Sequence, residues 1–150
     1  MSERLSVNLR PATPADARRV WAWRNDPASR AASLNLAQIP YPAHEAWFSA
    51  ALADPARTLL IGATAEGEAV GMVRFDRMAA VETRVSIAID PAWRGRGVGR
   101  VLLAQAVARR LGEPLRAEVR DGNAASLRLF EGCGFQRLSQ QDGVVLFGRG

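Results

Sequence analysis

The chain has no lysine, a single cysteine (Cys133) and a single histidine (His44). One cysteine cannot close a disulfide within the chain, and together with one histidine it cannot supply the four ligands of a structural zinc site. No stretch approaches the roughly 18 consecutive apolar residues of a membrane span, and the N-terminus MSERLSVNL lacks the apolar centre of a signal peptide. A soluble, cytoplasmic protein with no membrane partner and no metal is the expectation. Without lysine there is no Gly-Lys-Ser/Thr, so a P-loop is excluded. Repeats, low-complexity segments and linkers are also absent, which makes residues 1–150 one expected domain, large enough to bury roughly 70% of the surface its unfolded chain exposes.

Arginine, by contrast, is abundant. All twenty basic residues are arginine, against fifteen Asp and Glu, for a net charge of +5 and a pI of about 11.1. A nucleic-acid partner would call for clustered cations. The arginines instead run from Arg4 to Arg149 without a run of five, so none is expected. One local concentration, Arg94, Arg96 and Arg100, falls in a glycine-rich stretch and suits a compact phosphorylated ligand.

Hydrophobic periodicity predicts a mixed α/β chain in the order β-α-α-β-β-β-α-β-α-β-β. Residues 5–10 alternate as a strand. Thr13-Pro14-Ala15-Asp16 signals a helix start, with the helix ending near residues 23–25 before Pro27. A second helix is expected over about 43–53, with residues 26–42 as a loop between the two. Strands are expected at 58–65 and 69–75 around the turn Glu66-Gly67-Glu68, and at 81–89, where apolar Val85, Ile87 and Ile89 alternate with Glu82, Arg84 and Ser86. The polar face of that strand is a candidate cleft lining. Helix 98–111, strand 115–119, helix 123–133 and a hairpin from 135–138 and 144–147 complete the chain.

The segment Arg94-Gly95-Arg96-Gly97-Val98-Gly99-Arg100 lies between a strand and an amphipathic helix, where unpaired amides and the helix dipole make an anion site. Glycine lets the backbone take positive φ and approach phosphate oxygens. The dinucleotide fingerprint needs glycine three residues after its second glycine. From Gly97 that position is Arg100 and from Gly99 it is Leu102, so a Rossmann loop is excluded.

This segment resembles the central motif of the GNAT superfamily of N-acetyltransferases, Arg/Gln-x-x-Gly-x-Gly/Ala, here Arg94, Gly97 and Gly99. A second block, Asn123 to Phe135 with Ser126, Phe130 and Gly134, is similar to the superfamily's Asn-x-x-Ser/Ala-x-x-x-Tyr/Phe-x-x-x-Gly-Phe signature. The resemblance implies a mixed central sheet splayed around acetyl-CoA, flanked by about four helices, with the cosubstrate between strands ending near Ile89 and Val119. Backbone groups of Ile87, Ala88 and Ile89 would hold the pantetheine arm and polarise the thioester carbonyl. Amides from Gly95, Arg96, Gly97, Val98, Gly99 and Arg100, beside Arg94, would hold the pyrophosphate, and Asn123 would bind the cofactor arm. Packing explains Ile87 and Ile89 equally well.

Acetyl transfer to an amine requires a neutral nucleophile, so something must take its proton. Glu118 resembles the glutamate of ribosomal-protein alanine acetyltransferases and is the leading base, with a salt bridge to Arg116 or Arg120 as its structural alternative. The usual general acid is a tyrosine at the position of Phe130, which has no proton to give and would pack against the cofactor. Arg84 replaces the glutamate of many relatives and would meet an anionic acceptor. Trp23-Arg24-Asn25-Asp26-Pro27 with His44 is similar to amino-sugar acetyltransferases of the pseudaminic-acid type. Arg24, Asn25 and His44 would then bind a small amine acceptor, a nucleotide-linked amino sugar. His44 is an alternative base or an exposed capping residue, and Trp23 and Trp47 serve equally as core. A protein or peptide N-acetyltransferase and a non-catalytic acyl-CoA-binding module are the alternatives. The oligomeric state stays open, a homodimer included.

Overall fold

The structure is a computed structural model describing residues 6–27, 38–78 and 82–150. Its elements are β1 (Val7–Pro11), α1 (Ala17–Asn25), α2 (Tyr41–Ala53), β2 (Arg57–Thr64), β3 (Ala69–Arg77), β4 (Thr83–Ile89), α3 (Val98–Ala108), β5 (Leu115–Arg120), α4 (Ala124–Gly132), β6 (Gln136–Gln141) and β7 (Val144–Arg149). Among the described residues these elements follow the expected order. Leu5, Val81 and most of the expected 26–42 loop lie outside the described residues.

Several boundaries move for local reasons. A 3-10 turn, Pro14–Asp16, precedes α1. Asp16 accepts from the Thr13 N–H at 2.8 Å and from Arg10 at 2.9 Å through each oxygen, which fastens the helix start to β1. The second helix begins at Tyr41 because Pro42 suits a first turn, where its missing N–H costs nothing. At the other end of the chain, α3 stops at Ala108, short of Gly112 with its φ of 88°. Asp142 and Gly143, both at positive φ (53° and 77°), make the tight turn that joins β6 to β7.

The seven strands form one sheet in the order β1-β2-β3-β4-β5-β7-β6. Every neighbouring pair is antiparallel except β4 with β5. The period-2 alternation of β2 sends Leu59 and Ile61 to one face and Leu60 to the other. On the first face they pack with Val20 and Trp23 of α1 and Phe48 and Ala51 of α2. On the second, Leu102, Leu103 and Ala106 of α3 pack with Val73, Phe75, Val85, Val145 and Phe147. Leu102 is fully buried over two glycines. A Cβ on Gly62 would stand 2.5 Å from its methyls, so α3 lies closer to the sheet than a side chain there would permit.

The parallel β4–β5 pairing is confined to Thr83 opposite Leu115 and Arg84 opposite Arg116. Beyond those residues the strands separate, and neither Val85–Ile89 nor Ala117–Arg120 finds a partner in the other. The splayed mixed sheet expected from the resemblance is therefore present.

Candidate active site

The separation of β4 and β5 opens toward the glycine-rich loop. β4 ends at Ile89, and Asp90 accepts the Ala92 N–H at 2.8 Å, which starts the 3-10 turn Pro91–Trp93. The loop then enters α3 through Gly97, whose φ is 81°, with Gly95 at 73°. The first amide to return to the helix is Val101, bonded to the Gly97 carbonyl. Among the described residues, the backbone N–H groups of Gly95, Arg96, Gly97, Val98, Gly99 and Arg100 have no protein acceptor. Six adjacent donors at the positive end of an eleven-residue helix make a cradle whose chemistry fits a pyrophosphate.

The loop's arginines are tethered in different ways. Arg94 bonds Asp26 at 3.0 Å, Arg96 stacks on Trp93 with its guanidinium 4.1 Å from the ring centre, and Arg100 passes over Gly132. Asn123 caps α4, its Oδ1 accepting from Ser126 at 3.2 Å, which leaves its amide nitrogen for a ligand. Phe130 is a correction to the sequence reading. Its ring is 3% exposed, edge-on to Phe135 at 5.1 Å and stacked on Phe147 at 5.9 Å, so it belongs to the core and not to a cofactor wall.

The opposite face of β3, β4 and β5 carries Arg74, Asp76, Arg84, Ser86 and Glu118. Glu118 forms its ion pair with Arg84 across the mouth of the gap, not with Arg116 or Arg120. On β3, Arg74 bonds Asp76 at 2.9 Å, and Arg57 lies 3.6 Å from the second oxygen of the same carboxylate.

The helices α1 and α2 close this face. Arg24 donates to His44 Nδ1 at 3.0 Å, and His44 Nε2 donates to the Ala17 carbonyl at 2.8 Å. Because a guanidinium can only donate, this pairing fixes the tautomer with hydrogen on Nε2 and leaves the imidazole neutral. Burial, opposed by the Ala17 carbonyl and reinforced by the Arg24 charge, holds His44 below the usual imidazole range. His44 is fully buried, and both nitrogens are engaged. It orients Arg24 from beneath and is neither an exposed cap nor in reach of an acceptor, which corrects its assignment as a substrate-binding residue. Asn25 is corrected in the same way. Its side-chain amide bonds both the N–H and the carbonyl of Ile39 at 2.7 Å, standing in for a strand partner. Trp23 is core, its indole N–H on Asp90 at 2.9 Å. Of the four residues expected at the acceptor, Arg24 and Arg84 remain candidates for it.

Sequence reasoning missed Arg74. The available signal was the pair of polar residues two apart, Arg74 and Asp76, in a strand whose first five residues are apolar.

The sequence pattern of the acetyltransferase (GNAT) family matches residues 17–135. The chain belongs to the GNAT family. It is 35% identical over 136 residues to the N-alpha-acetyltransferase RimI of Mycobacterium tuberculosis, covering 88% of this chain and 80% of that protein. Spermidine N-acetyltransferase of Vibrio cholerae, solved with CoA and spermine, has the same fold. Its TM-score is 0.83 at 17% identity, over 95% of this chain and 93% of that one. A phosphinothricin acetyltransferase of Sinorhizobium meliloti with acetyl-CoA gives a TM-score of 0.79 at 19% identity, over 97% and 88%. This GNAT protein is thus an N-acetyltransferase whose acetyl donor is acetyl-CoA. Among the described residues no group of His, Cys, Asp and Glu is placed to hold a metal ion, and no helix is long and apolar enough to cross a membrane.

Proposed function

We propose that this acetyltransferase passes the acetyl group of acetyl-CoA directly to an α-amine, donor and acceptor meeting where β4 and β5 part. The observation that carries the reading is the pairing of that gap with the six free amides of the loop. The amides of Gly95 to Arg100 bind the pyrophosphate. Main-chain groups of Ile87, Ala88 and Ile89, unpaired on the β5 side, bind the pantetheine arm, together with the Asn123 amide. When bound, acetyl-CoA supplies an activated acyl group, and a backbone N–H at its carbonyl oxygen stabilises the charge that develops there.

Glu118 takes a proton from the ammonium form of the acceptor, the neutral nitrogen attacks the carbonyl, and as the carbon–sulfur bond breaks the second N–H proton passes to solvent. The Glu118 carboxylate, held by the Arg84 guanidinium, is placed to receive the first proton. An α-amine, with an ordinary pKa near 8, gives up its proton at neutral pH more readily than a lysine-type amine near 10. Phe130 offers no proton to the leaving thiol, whose ordinary pKa of about 8.5 allows it to depart as thiolate and take a proton from water. The RimI relative, named for N-alpha acetylation, supports the same acceptor class. A nucleotide-linked amino sugar is the second reading. Of the residues that suggested it, Arg24 alone keeps a charge at the site, since Trp23, Asn25 and His44 are committed to structure.

The test supplies acetyl-CoA with peptides bearing free or blocked N-termini and with nucleotide-linked amino sugars, following thiol release and product mass. Turnover of free α-amines is the expected outcome. Turnover of amino sugars with silence on peptides and amino acids overturns the reading.

A further inference from the structure

Charges on the acceptor face do not balance. Arg24, Arg57, Arg74 and Arg84 meet three carboxylates, Asp54, Asp76 and Glu118, and Asp54 pairs with Arg57 alone. Glu118 is taken by Arg84, and Asp76 is shared by Arg74 and Arg57. Arg24 has no carboxylate partner among the described residues. Its contacts are a neutral imidazole at 3.0 Å and the Trp47 ring at 4.3 Å, with Arg74 5.1 Å from that same ring. A part-buried guanidinium beside a second cation, with no anion to compensate it, is unfavourable unless something supplies the charge. The chain nonetheless builds a support for it, the fully buried His44 anchored on the Ala17 carbonyl. Burial, with the neighbouring Arg74 charge adding to it, lowers Arg24 to about 10, so it remains a cation at neutral pH.

We infer that Arg24 and Arg74 form a subsite for an anionic group, a carboxylate or phosphate, carried by the acceptor close to its amine. The inference rests on the α-amine reading above and names the acceptor's second recognition element. In register, Arg74 stands opposite Ser86, and Arg84, which holds Glu118, is two residues along β4. Two residues of strand span roughly 7 Å. An anion seated at Arg74 and Arg24 therefore lies on the order of four to six bonds from an amine at Glu118. That reach matches an acidic side chain on the first or second residue of a peptide, or a free acidic amino acid. The guanidinium fork of Arg24 has five donors, of which His44 takes one, so a bidentate grip on an oxyanion is open to it.

Two measurements test this. The first compares peptides that differ only by Asp against Asn, or Glu against Gln, at the first two positions, with free glutamate beside them to separate a peptide from a small acid as the source. Wild type should favour the acid in kcat/KM by roughly ten- to hundredfold, the usual scale of a charge-assisted bond. The preference should collapse toward unity in Arg24→Met and recover in part in Arg24→Lys, which keeps the charge and loses the fork. The second measurement is calorimetric binding of inorganic phosphate to the CoA-saturated protein, wild type against both variants, with thermal midpoints confirming that each variant is folded. If α-amines are not acetylated but phosphate binding needs Arg24, the subsite stands and the acceptor reading falls. Equal rates on acid and amide peptides, with phosphate binding unchanged in Arg24→Met, overturn the subsite.

Discussion

Gly97 and Gly67 provide a matched pair of perturbations. Both take positive φ, 81° and 90°, but Gly97 opens α3 inside the loop, whereas Gly67 turns between β2 and β3 where an added Cβ would meet nothing within 4 Å. Alanine at either position pays the left-handed strain of an L residue, about 1–2 kcal/mol. For a domain of this size each kcal/mol lowers the thermal midpoint by about 2–4 °C. Folding stability should therefore drop comparably in Gly67→Ala and Gly97→Ala. CoA affinity should not. If relief of strain rotates the loop so that two of its six free amides lose a charged phosphate oxygen, about 1.5–3 kcal/mol is lost for each, and the dissociation constant rises by about 10²- to 10⁴-fold. Isothermal titration with CoA, alongside thermal unfolding of both variants, measures the two effects separately. An unchanged dissociation constant in Gly97→Ala, or an equal rise in Gly67→Ala, refutes the assignment of the loop as the pyrophosphate cradle.

Three further outcomes are expected. Glu118→Gln should lower turnover of α-amines at least tenfold with CoA affinity intact, as measured by steady-state rates across pH and by titration; wild-type rates would remove Glu118 as the base. His44 is held neutral in the fold, so the unfolded chain binds the extra proton first and stability is lost as pH falls below the ordinary imidazole value near 6.5. The wild-type melting temperature should consequently fall more steeply between pH 7 and 5 than that of His44→Gln, and parallel slopes would contradict this account. Leu102→Ala empties a fully buried site over Gly62 and should cost about 2–5 kcal/mol in urea unfolding.

The strand, glycine turn and helix of the proposed donor side were legible in the sequence because they are contiguous. The alternation of 81–89, the glycine spacing at 95, 97 and 99 and the helix that follows are local patterns, and local patterns carry backbone geometry. The acceptor side depends on contacts that periodicity does not encode. His44 and Ala17 are 27 residues apart, and only the packing of α2 on α1 makes one the support of the other. Asn25 reads as a helix stop, yet its role is set by Ile39, 14 residues further along the chain. Glu118 meets Arg84 because β4 and β5 run parallel, a topological fact that sets the partner far along the chain and passes over the two neighbours that sequence proximity suggested. Phe130 shows the opposite limit. A signature position can persist while its side chain turns fully inward to Phe135 and Phe147.

An open seven-stranded sheet ordinarily has two borders, and this one has four. The outer borders are β1 and β6, and the inner ones are the facing lengths of β4 and β5 beyond Arg84 and Arg116. Unsatisfied strand borders usually recruit other chains. Here the inner pair is joined at its base by two rungs of ladder and walled by helices, so a foreign strand meets a blind slot instead of an open flank. What can enter is a slender, extended molecule with its own amide groups, fed in from the loop end. The same interruption that costs the sheet its continuity acts as a filter, holding exposed backbone donors and acceptors where another chain's strand cannot lie flat against them.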